Sequence, residues 1–421
     1  MKSYKKAALM LVIVVLAIAT AVPAMAQSDE PIKLVVWDFK SGEAAFSPYT
    51  EAVAERFHEA YPNITVEVVP QPNDQYYTIL GTAINAGEGP DLALFNGGAA
   101  IKDRVEALLP LTDAVADIYD NYAGWDAFSV DGEVYAVPLT MQGFVTYYNK
   151  ELYTEAGLDP DVPPTTWDEL IANCDAIMSN TDANCFALGN QEGLGIEFFF
   201  STAMAGLLTP DRYDAFLNGE IGWDDPALFE AMDLWRQTAE WGWYPEGANS
   251  TPMFVDSFES FMRGDAAHVL GLTSDIAHWK DFEDFLGAEN VGSFLPVIIN
   301  PEVTEQVLPI DGGIGYGVTA WTEHPKEAME LAKFMLESDN LYVLFESAGA
   351  MVSDKMFDTS VLDSPNATQI IEWIGCCSRG ATSIAVPTAP REEMKRQGQL
   401  LLGGDTTTED AVAAILAATE E

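Results

Sequence analysis

The sequence predicts an α/β fold of two lobes, with a ligand cleft between them. Three observations support this prediction. The 421 residues give room for two domains, each with its own core. From Ile32 onward strand-like and helix-like segments alternate, which is typical of a parallel sheet with right-handed crossovers. A sheet element then stops at Pro138 and resumes at Phe144, where we expect the chain to pass between lobes.

The N-terminal segment has the pattern of a secretory signal peptide. Lysines at positions 2, 5 and 6 precede the apolar run Leu9–Val22, and Ala24–Ala26 has the small-residue pattern of a cleavage site. We therefore expect residues 1–26 to be removed after secretion across the cytoplasmic membrane, which places the mature chain in the periplasm or at the cell exterior. An uncleaved anchor is the alternative, although the apolar run is short for a membrane span.

The chain is strongly acidic, with 66 Asp and Glu against 20 Lys and Arg and a formal charge of -46. Nucleic acids and anionic lipid surfaces need a basic footprint, so both are excluded as partners. A solvated acidic surface that keeps a secreted protein soluble explains the same composition. Because acids are so abundant, no single pair of carboxylates indicates catalysis.

The first lobe is predicted from three strands and the helices between them. The strand Ile32–Trp37, the alternating segment Ile64–Val68 and the buried run Leu92–Phe95 are separated by segments of helical spacing. In parallel sheets ligands bind where the strands end at their carboxyl side. The binding candidates at those ends are Trp37, Ser41, Glu43 and Asn96.

The crossing and the second lobe supply further candidates. Gln142 lies between Pro138 and the strand Phe144–Tyr148, at the expected edge of the cleft. In the second lobe, the strand Ala266–Leu270 is followed by a polar loop that adds Thr273 and Ser274.

Five spaced blocks, in order along the chain, resemble family 1 extracellular solute-binding proteins, the sugar-type binding components of ABC importers. The blocks are Ala86–Asp91, the middle segment Val134–Pro138 with Tyr147–Leu152 and Glu155–Leu158, then Thr165–Leu170, Phe261–Ala267 and His324–Ala328. The resemblance implies a type II periplasmic-binding-protein fold, in which the chain crosses between the lobes about three times. It implies a first lobe of residues 27–139 plus 293–339 and a second lobe of 140–292 plus 340–421. The second and third crossings are expected near Val291–Pro296 and Asp339–Tyr342.

Sugar recognition needs aromatic platforms for the apolar ring faces and fixed polar partners for the hydroxyls. Trp243 follows a helix, and Trp373 precedes Arg379, a rare basic residue; both tryptophans are candidate platforms, and either ligand contact or a salt bridge suits the arginine. The segment Asp311–Gly313 resembles the family's glycine pair, although the family usually has proline where this chain has Asp311. Asp311, Gly312 and Gly313 are therefore binding candidates, with an ordinary Gly-Gly turn as the alternative.

The four cysteines permit two pairings in an exported protein. Cys174 and Cys185 are close enough in sequence to close a short loop, with two buried thiols as the alternative. Cys376 and Cys377 are adjacent, so a bond between them would be vicinal. No cysteine or histidine spacing typical of a metal site occurs, and neither a catalytic motif nor an ATP-binding motif is present, so we expect no metal, no cofactor and no enzyme.

These patterns together predict the solute-binding component of an ABC importer. The expected ligand is a mono- or oligosaccharide, the expected partners are the transmembrane permease subunits, and the expected state is a monomer. A polyol, a glycerol ester or another solute is the alternative ligand class. A secreted carbohydrate-active enzyme remains the alternative function, because paired carboxylates need no linear motif.

Overall fold

The computed structural model describes residues 30–273 and 278–419. The predicted signal peptide and Ser274 lie outside these residues. The strands are β1 Ile32–Asp38, β2 Ile64–Pro70, β3 Leu92–Asn96, β4 Ser129–Val130, β5 Glu133–Val134, β6 Ala136–Pro138, β7 Met141–Asn149, β8 Asn184–Ala187, β9 Ala266–Leu272, β10 Val291–Phe294, β11 Leu308–Gly312, β12 Ile314–Val318 and β13 Ser378–Arg379.

The helices separate these strands and cover the sheets. They are α1 Ser47–Ala60, α2 Tyr76–Ala86, α3 Ala99–Lys102, α4 Thr112–Val115, α5 Lys150–Ala156, α6 Trp167–Asn180, α7 Gly195–Leu207, α8 Pro210–Leu217, α9 Pro226–Glu240, α10 Phe258–Met262, α11 His278–Leu286, α12 Pro325–Met335, α13 Ser338–Ala348, α14 Pro365–Cys377, α15 Thr382–Ala385, α16 Thr388–Gly403 and α17 Thr408–Ala418. Within the described residues, no helix combines the length and the apolar character that crossing a bilayer requires.

The first sheet has the strand order β2-β1-β3-β12-β6. Strands β1, β2 and β3 are parallel, as the alternating pattern predicts, and β12 runs antiparallel to β3 and β6. Pro138 ends β6 at the sheet edge, where its missing N–H leaves no gap in the ladder.

The second sheet has the order β13-β11-β7-β9-β8, with β10 also paired to β7. The long strand β7 is its axis, because β9, β10 and β11 all run antiparallel to it. The two-sheet α/β architecture predicted from the sequence is therefore confirmed.

A two-stranded ribbon joins the sheets. β6 continues into β7 and β11 continues into β12, so the chain leaves the first sheet at residues 138–141 and returns at 312–314. Across the ribbon Gly312 pairs with Met141, and Gly315 pairs with Pro138. The predicted return near residues 291–296 is wrong, because that segment is β10, which pairs inside the second sheet with β7.

The third crossing also lies later than predicted. Helix α13 belongs with the first sheet, because Arg56 of α1 donates to the Asp339 carbonyl at 2.9 Å and to Asn340 Oδ1 at 2.8 Å. The chain then runs beside the ribbon, where Met141 N donates to Met351 O at 2.7 Å. The crossing therefore follows α13 rather than lying at residues 339–342, which are inside that helix.

Candidate functional site

The floor of the site is the ribbon between the sheets. Gly97 N donates to Gly313 O at 2.9 Å, and Gly313 N donates to Thr140 O at 2.7 Å. Thr273 N donates to Gly143 O at 3.1 Å, which brings the end of β9 to the same place. The predicted residues Asn96, Gln142, Thr273, Gly312 and Gly313 are thus brought together from both sheets.

The two glycines serve chain packing at this floor. A Cβ on Gly312 would lie 2.5 Å from the Gly124 carbonyl oxygen, and one on Gly313 would lie 2.7 Å from Thr140 Oγ1. Contacts this short are not tolerated by real side chains, so glycine is required where the ribbon passes under the neighbouring loops. Close packing against the Gly124 carbonyl, the Phe128 ring and the Thr140 hydroxyl explains both glycines, and their contact with a ligand stays a prediction.

The loop after β1 is held by a buried carboxylate. Asp38 Oδ1 accepts the backbone N–H groups of Lys40 at 2.8 Å and Ser41 at 2.5 Å, and Asp38 Oδ2 accepts the Tyr316 hydroxyl at 3.0 Å. Ser41 Oγ is buried and has no hydrogen-bond partner among the described residues. Glu43 is exposed and pairs with Lys40 Nζ at 3.2 Å, so its carboxylate is already engaged.

An aromatic contact joins this loop to Asn96. The rings of Phe39 and Tyr77 lie 6.4 Å apart, and Tyr77 Oη is 2.9 Å from Asn96 N and 3.0 Å from Asn96 Nδ2. The Arg104 guanidinium lies over the Tyr77 ring, 4.6 Å from the ring centre. The exposed Asn96 amide is therefore oriented, which reduces the entropy lost when it binds a ligand.

A cavity of about 890 Å³ opens beside the ribbon, large enough for an oligosaccharide. It is walled by α3 and the 123–127 loop on the first-sheet side, and by the end of α8 and the segment 378–388 on the other. Its charged and ribbon residues are Lys102, Asp103, Asp126, Met141, Asp214, Ile310, Asp311 and Arg379.

Asp311 is the central charged residue of this cavity. Gly312 N donates to its Oδ1 at 2.7 Å, and Gly380 packs against its Oδ2. Burial raises the pKa of Asp311 to about 6, with the nearby charge of Asp126 adding to the rise, while N–H groups of Gly312 and Ala127 and the charge of Lys102 oppose it. The carboxyl group is therefore ionised and accepts hydrogen bonds at neutral pH, and it gains a proton that it can donate as the pH falls through about 6.

Arg379 lies in the cavity wall and forms an ion pair with Asp214. The two alternatives for Arg379 were ligand contact and a salt bridge. Its position is compatible with both, because it lines the cavity and has a carboxylate partner. Besides this ion pair, the cavity is lined by one cation, Lys102, and by the acidic residues Asp103, Asp126 and Asp311. The acidic residues of the cavity therefore outnumber the basic ones.

The predicted aromatic platforms lie elsewhere. Trp243 is 1% exposed and packs between Trp167, at 5.4 Å between ring centres, and Phe186, at 5.7 Å, so the prediction that it contacts ligand is wrong. Trp37 and Trp373 are half-buried against the largest core cluster. Among the described residues, none of the three lines the cavity and no aromatic side chain does. Large aromatics fill cores as readily as they stack on sugars, and spacing does not distinguish the two uses.

Four further charged residues line the cavity and were not predicted from the sequence: Lys102, Asp103, Asp126 and Asp214. Lys102 and Asp103 could have been found, because α3 begins directly after the strand end at Asn96–Gly98. Asp126 and Asp214 enter the cavity from a 3₁₀ turn and from α8, and no local pattern points to either.

The cysteines form two disulfides, Cys174–Cys185 and Cys376–Cys377. The Cys174 and Cys185 sulfurs and a ring nitrogen of buried His268 lie within 4.8 Å of one another. Burial lowers the pKa of His268 to about 4, and its ring bonds to Tyr153 Oη at 2.7 Å and Cys185 O at 2.8 Å. With both sulfurs joined to each other, this group is a structural core cluster rather than a set of ligands.

Two α/β sheets, a crossing ribbon and a cavity between them define a two-lobed solute-binding protein. Residues 52–353 match the family model described as bacterial extracellular solute-binding protein. The chain therefore belongs to this family.

Relatives and solved structures agree with that assignment. An uncharacterized ABC transporter extracellular-binding protein of Pyrococcus horikoshii is 25% identical over 341 residues, 77% of this chain and 72% of that protein. Maltodextrin-binding protein MdxE of Bacillus subtilis is 24% identical and covers 73% of this chain and 70% of its own length. The sn-glycerol-3-phosphate-binding periplasmic protein UgpB of Yersinia pestis is 28% identical, over only 42% of this chain and 41% of its own.

The fold is also similar to that of a solved chitin oligosaccharide binding protein. The TM-score is 0.76 at 20% identity, and the match covers 93% of this chain and 98% of that one. This likeness establishes the fold over nearly the whole chain.

Proposed function

We propose that the chain binds a mono- or oligosaccharide in the cavity beside the ribbon and delivers it to the transmembrane subunits of an ABC importer. The observation that carries the proposal is the polar lining of the cavity, in which Asp311 lies on the ribbon opposite Gln142, its partner on the neighbouring strand. Fixed amide and carboxyl groups are the partners that sugar hydroxyls need. The maltodextrin and chitin oligosaccharide ligands in the relatives' names support the same class.

The charge of the cavity favours a neutral ligand over a phosphorylated one. Arg379 is already paired with Asp214. The other charged groups in the lining of the cavity are one cation, Lys102, and three carboxyl groups, those of Asp103, Asp126 and Asp311. A phosphate group would need several unopposed donors, as bidentate arginine supplies elsewhere. We therefore rank a glycerol phosphate ester below a saccharide, despite the partial match to the glycerol-3-phosphate protein.

Delivery follows from closure of the lobes on the ligand. The ribbon residues 138–141 and 312–314 are where a rotation between the sheets would be absorbed. A ligand shifts this equilibrium only if it binds the closed form more tightly than the open form. The chain then supplies recognition as a secreted monomer, the permease supplies passage, and no catalysis is expected.

A saccharide panel tests the proposal by thermal shift of the mature protein. A ligand at 100 times its dissociation constant stabilises the native state by about 2.7 kcal/mol. For the saccharide that raises the melting temperature, small-angle scattering should show a smaller radius of gyration, and no glycoside should be cleaved. A panel without any stabilising saccharide, or hydrolysis of a glycoside, would refute the proposal.

Matched variants locate the site. Gln142→Ala and Asn96→Ala each remove one hydrogen-bond partner and should weaken saccharide binding about 5- to 10-fold, since such bonds contribute ~1 kcal/mol or somewhat more. Gln369→Ala on α14, whose amide bonds to Glu372 Oε2 at 3.3 Å and to no other described residue, is the control and should bind normally. Equal affinity in all three variants would place the ligand elsewhere.

A further inference from the structure

The Cys376–Cys377 disulfide lies at an abrupt change of structure. Helix α14 ends at Cys377, and strand β13 begins at the next residue, Ser378, with no loop between them. Several other helices end in a glycine of positive φ, as α2 does at Gly87 (68°) and α13 at Gly349 (64°). The residue after α14 is Ser378, whose backbone is extended, so the chain passes from helix to strand directly after the two bonded cysteines.

The strand that follows the disulfide is a wall of the cavity. Ser378 pairs with Leu308 and Arg379 pairs with Pro309, so β13 is anchored to β11 by two residues only. Ser378 and Arg379 both line the cavity, and β11 continues to Asp311 at its centre. A change in the backbone at Cys377 is therefore transmitted directly to the cavity wall.

The two disulfides differ in access to solvent. Cys376 is exposed and Cys377 is half-buried, whereas Cys174 and Cys185 are each 0% exposed. Thiol–disulfide exchange requires a thiolate to reach a sulfur, so only the vicinal bond is open to attack in the native protein.

We propose that Cys376–Cys377 is a thiol–disulfide exchange site, at which a small-molecule thiol opens the bond and loosens the β13 wall of the cavity. A thiolate attacks Cys376 Sγ, forming a mixed disulfide and releasing Cys377 as a thiolate. A second thiolate attacks the small-molecule sulfur of the mixed disulfide and releases Cys376. Two thiols are oxidised to one disulfide, and their two protons end on the two cysteines. Re-oxidation by a disulfide oxidant restores the ring.

Differential alkylation tests the chemistry. The mature protein is incubated with reduced glutathione under native conditions, alkylated and mapped by peptide mass spectrometry. Cys376 and Cys377 should be labelled, while Cys174 and Cys185 should stay unlabelled until denaturant is added. Absence of label on the vicinal pair, under conditions that reduce a Cys-Cys peptide, would overturn the proposal.

Hydrogen exchange tests the coupling and needs no saccharide, so its outcome is separate from that of the proposed function. After reduction, amides in residues 378–388 should exchange about tenfold faster, because the two-residue β13 ladder opens more often. Amides of β3 at residues 92–96 are the internal control and should not change. Cys376→Ser with Cys377→Ser should reproduce the faster exchange and lose the response to thiol. If that variant does not fold, reduced wild-type protein decides, and unchanged exchange at 378–388 refutes the coupling.

Discussion

Replacing Asp311 by asparagine should remove a pH dependence from the stability of the protein. Burial raises the pKa of this carboxyl from its ordinary value of 3.8 to about 6. Between these values the native carboxyl keeps a proton that the unfolded chain has released, so the native state binds more protons and stability falls as pH rises. Below pH 4 the carboxyl is neutral in both states and costs no stability. The loss of stability grows as the pH rises from 4 and levels off above pH 6.

The size of this penalty follows from the shift. Two pKa units correspond to about 3 kcal/mol at 1.36 kcal/mol per unit, and partial solvent access to Asp311 reduces the measured value to ~2 kcal/mol. In Asp311→Asn the amide oxygen can still accept the Gly312 N–H that reaches Oδ1 at 2.7 Å in the native protein. The variant should therefore match wild type near pH 4 and exceed it in stability by ~2 kcal/mol at pH 7.

Urea unfolding of both proteins from pH 4 to pH 7 measures the difference. Asp182→Asn, at an exposed position outside the cavity, is the matched control and should follow the wild-type curve. The reasoning fails if the wild-type and Asp311→Asn curves stay parallel across this range, because the carboxyl would then titrate alike in the folded and unfolded chains.

Three further predictions test the packing of the fold, each by urea unfolding. Gly312→Ala should cost about 1 to 3 kcal/mol because its Cβ would lie 2.5 Å from a backbone oxygen. Gly375→Ala, in a helix with no atom within 4 Å of the added Cβ, should stabilise by ~0.5 to 1 kcal/mol; equal effects would refute the packing argument. Arg391→Met should cost ~2 to 4 kcal/mol, since it leaves Glu197, with its side chain 4% exposed, without the guanidinium at 2.7 Å. Adding Glu197→Leu should recover most of that loss, and no recovery would contradict a charge effect. Cys185→Ala should cost ~2 to 3 kcal/mol by opening a loop with a sequence separation of 11, and an unchanged midpoint would argue against a closed loop in the native protein.

The sequence predicts the architecture well because local patterns determine it. Hydrophobic runs, helical spacing and the break at Pro138 each depend on neighbouring residues, and the observed β1–β3 and β6–β7 follow them. The positions of the later crossings depend on pairing between distant strands. Nothing near residue 293 in the sequence shows that β10 joins β7, nor that β11 and not β10 returns to the first sheet.

The same distinction between local pattern and distant contacts applies to the residues of the candidate site. Asn96 and Gln142 are predicted from a strand end and a crossing, and Asp311 from the resemblance of its segment to the family's glycine pair, and their contact with a ligand stays a prediction. Trp243 was misplaced because a tryptophan after a helix satisfies a core position and a binding position equally. Asp214 was missed because only the tertiary approach of α8 to β13 gives it a role, as the partner of Arg379.

The ribbon links the mechanics of closure to recognition. Asp311 pairs with Gln142 across the ribbon, so two of the proposed ligand contacts are neighbours on the strands that would bend when the lobes rotate. Backbone crowding at Gly312 and Gly313 allows few arrangements of these strands. Under the proposed function, a ligand that bonds to both side chains would act directly on the strands proposed to absorb rotation between the lobes, and it would shift the lobes only by binding the closed form more tightly.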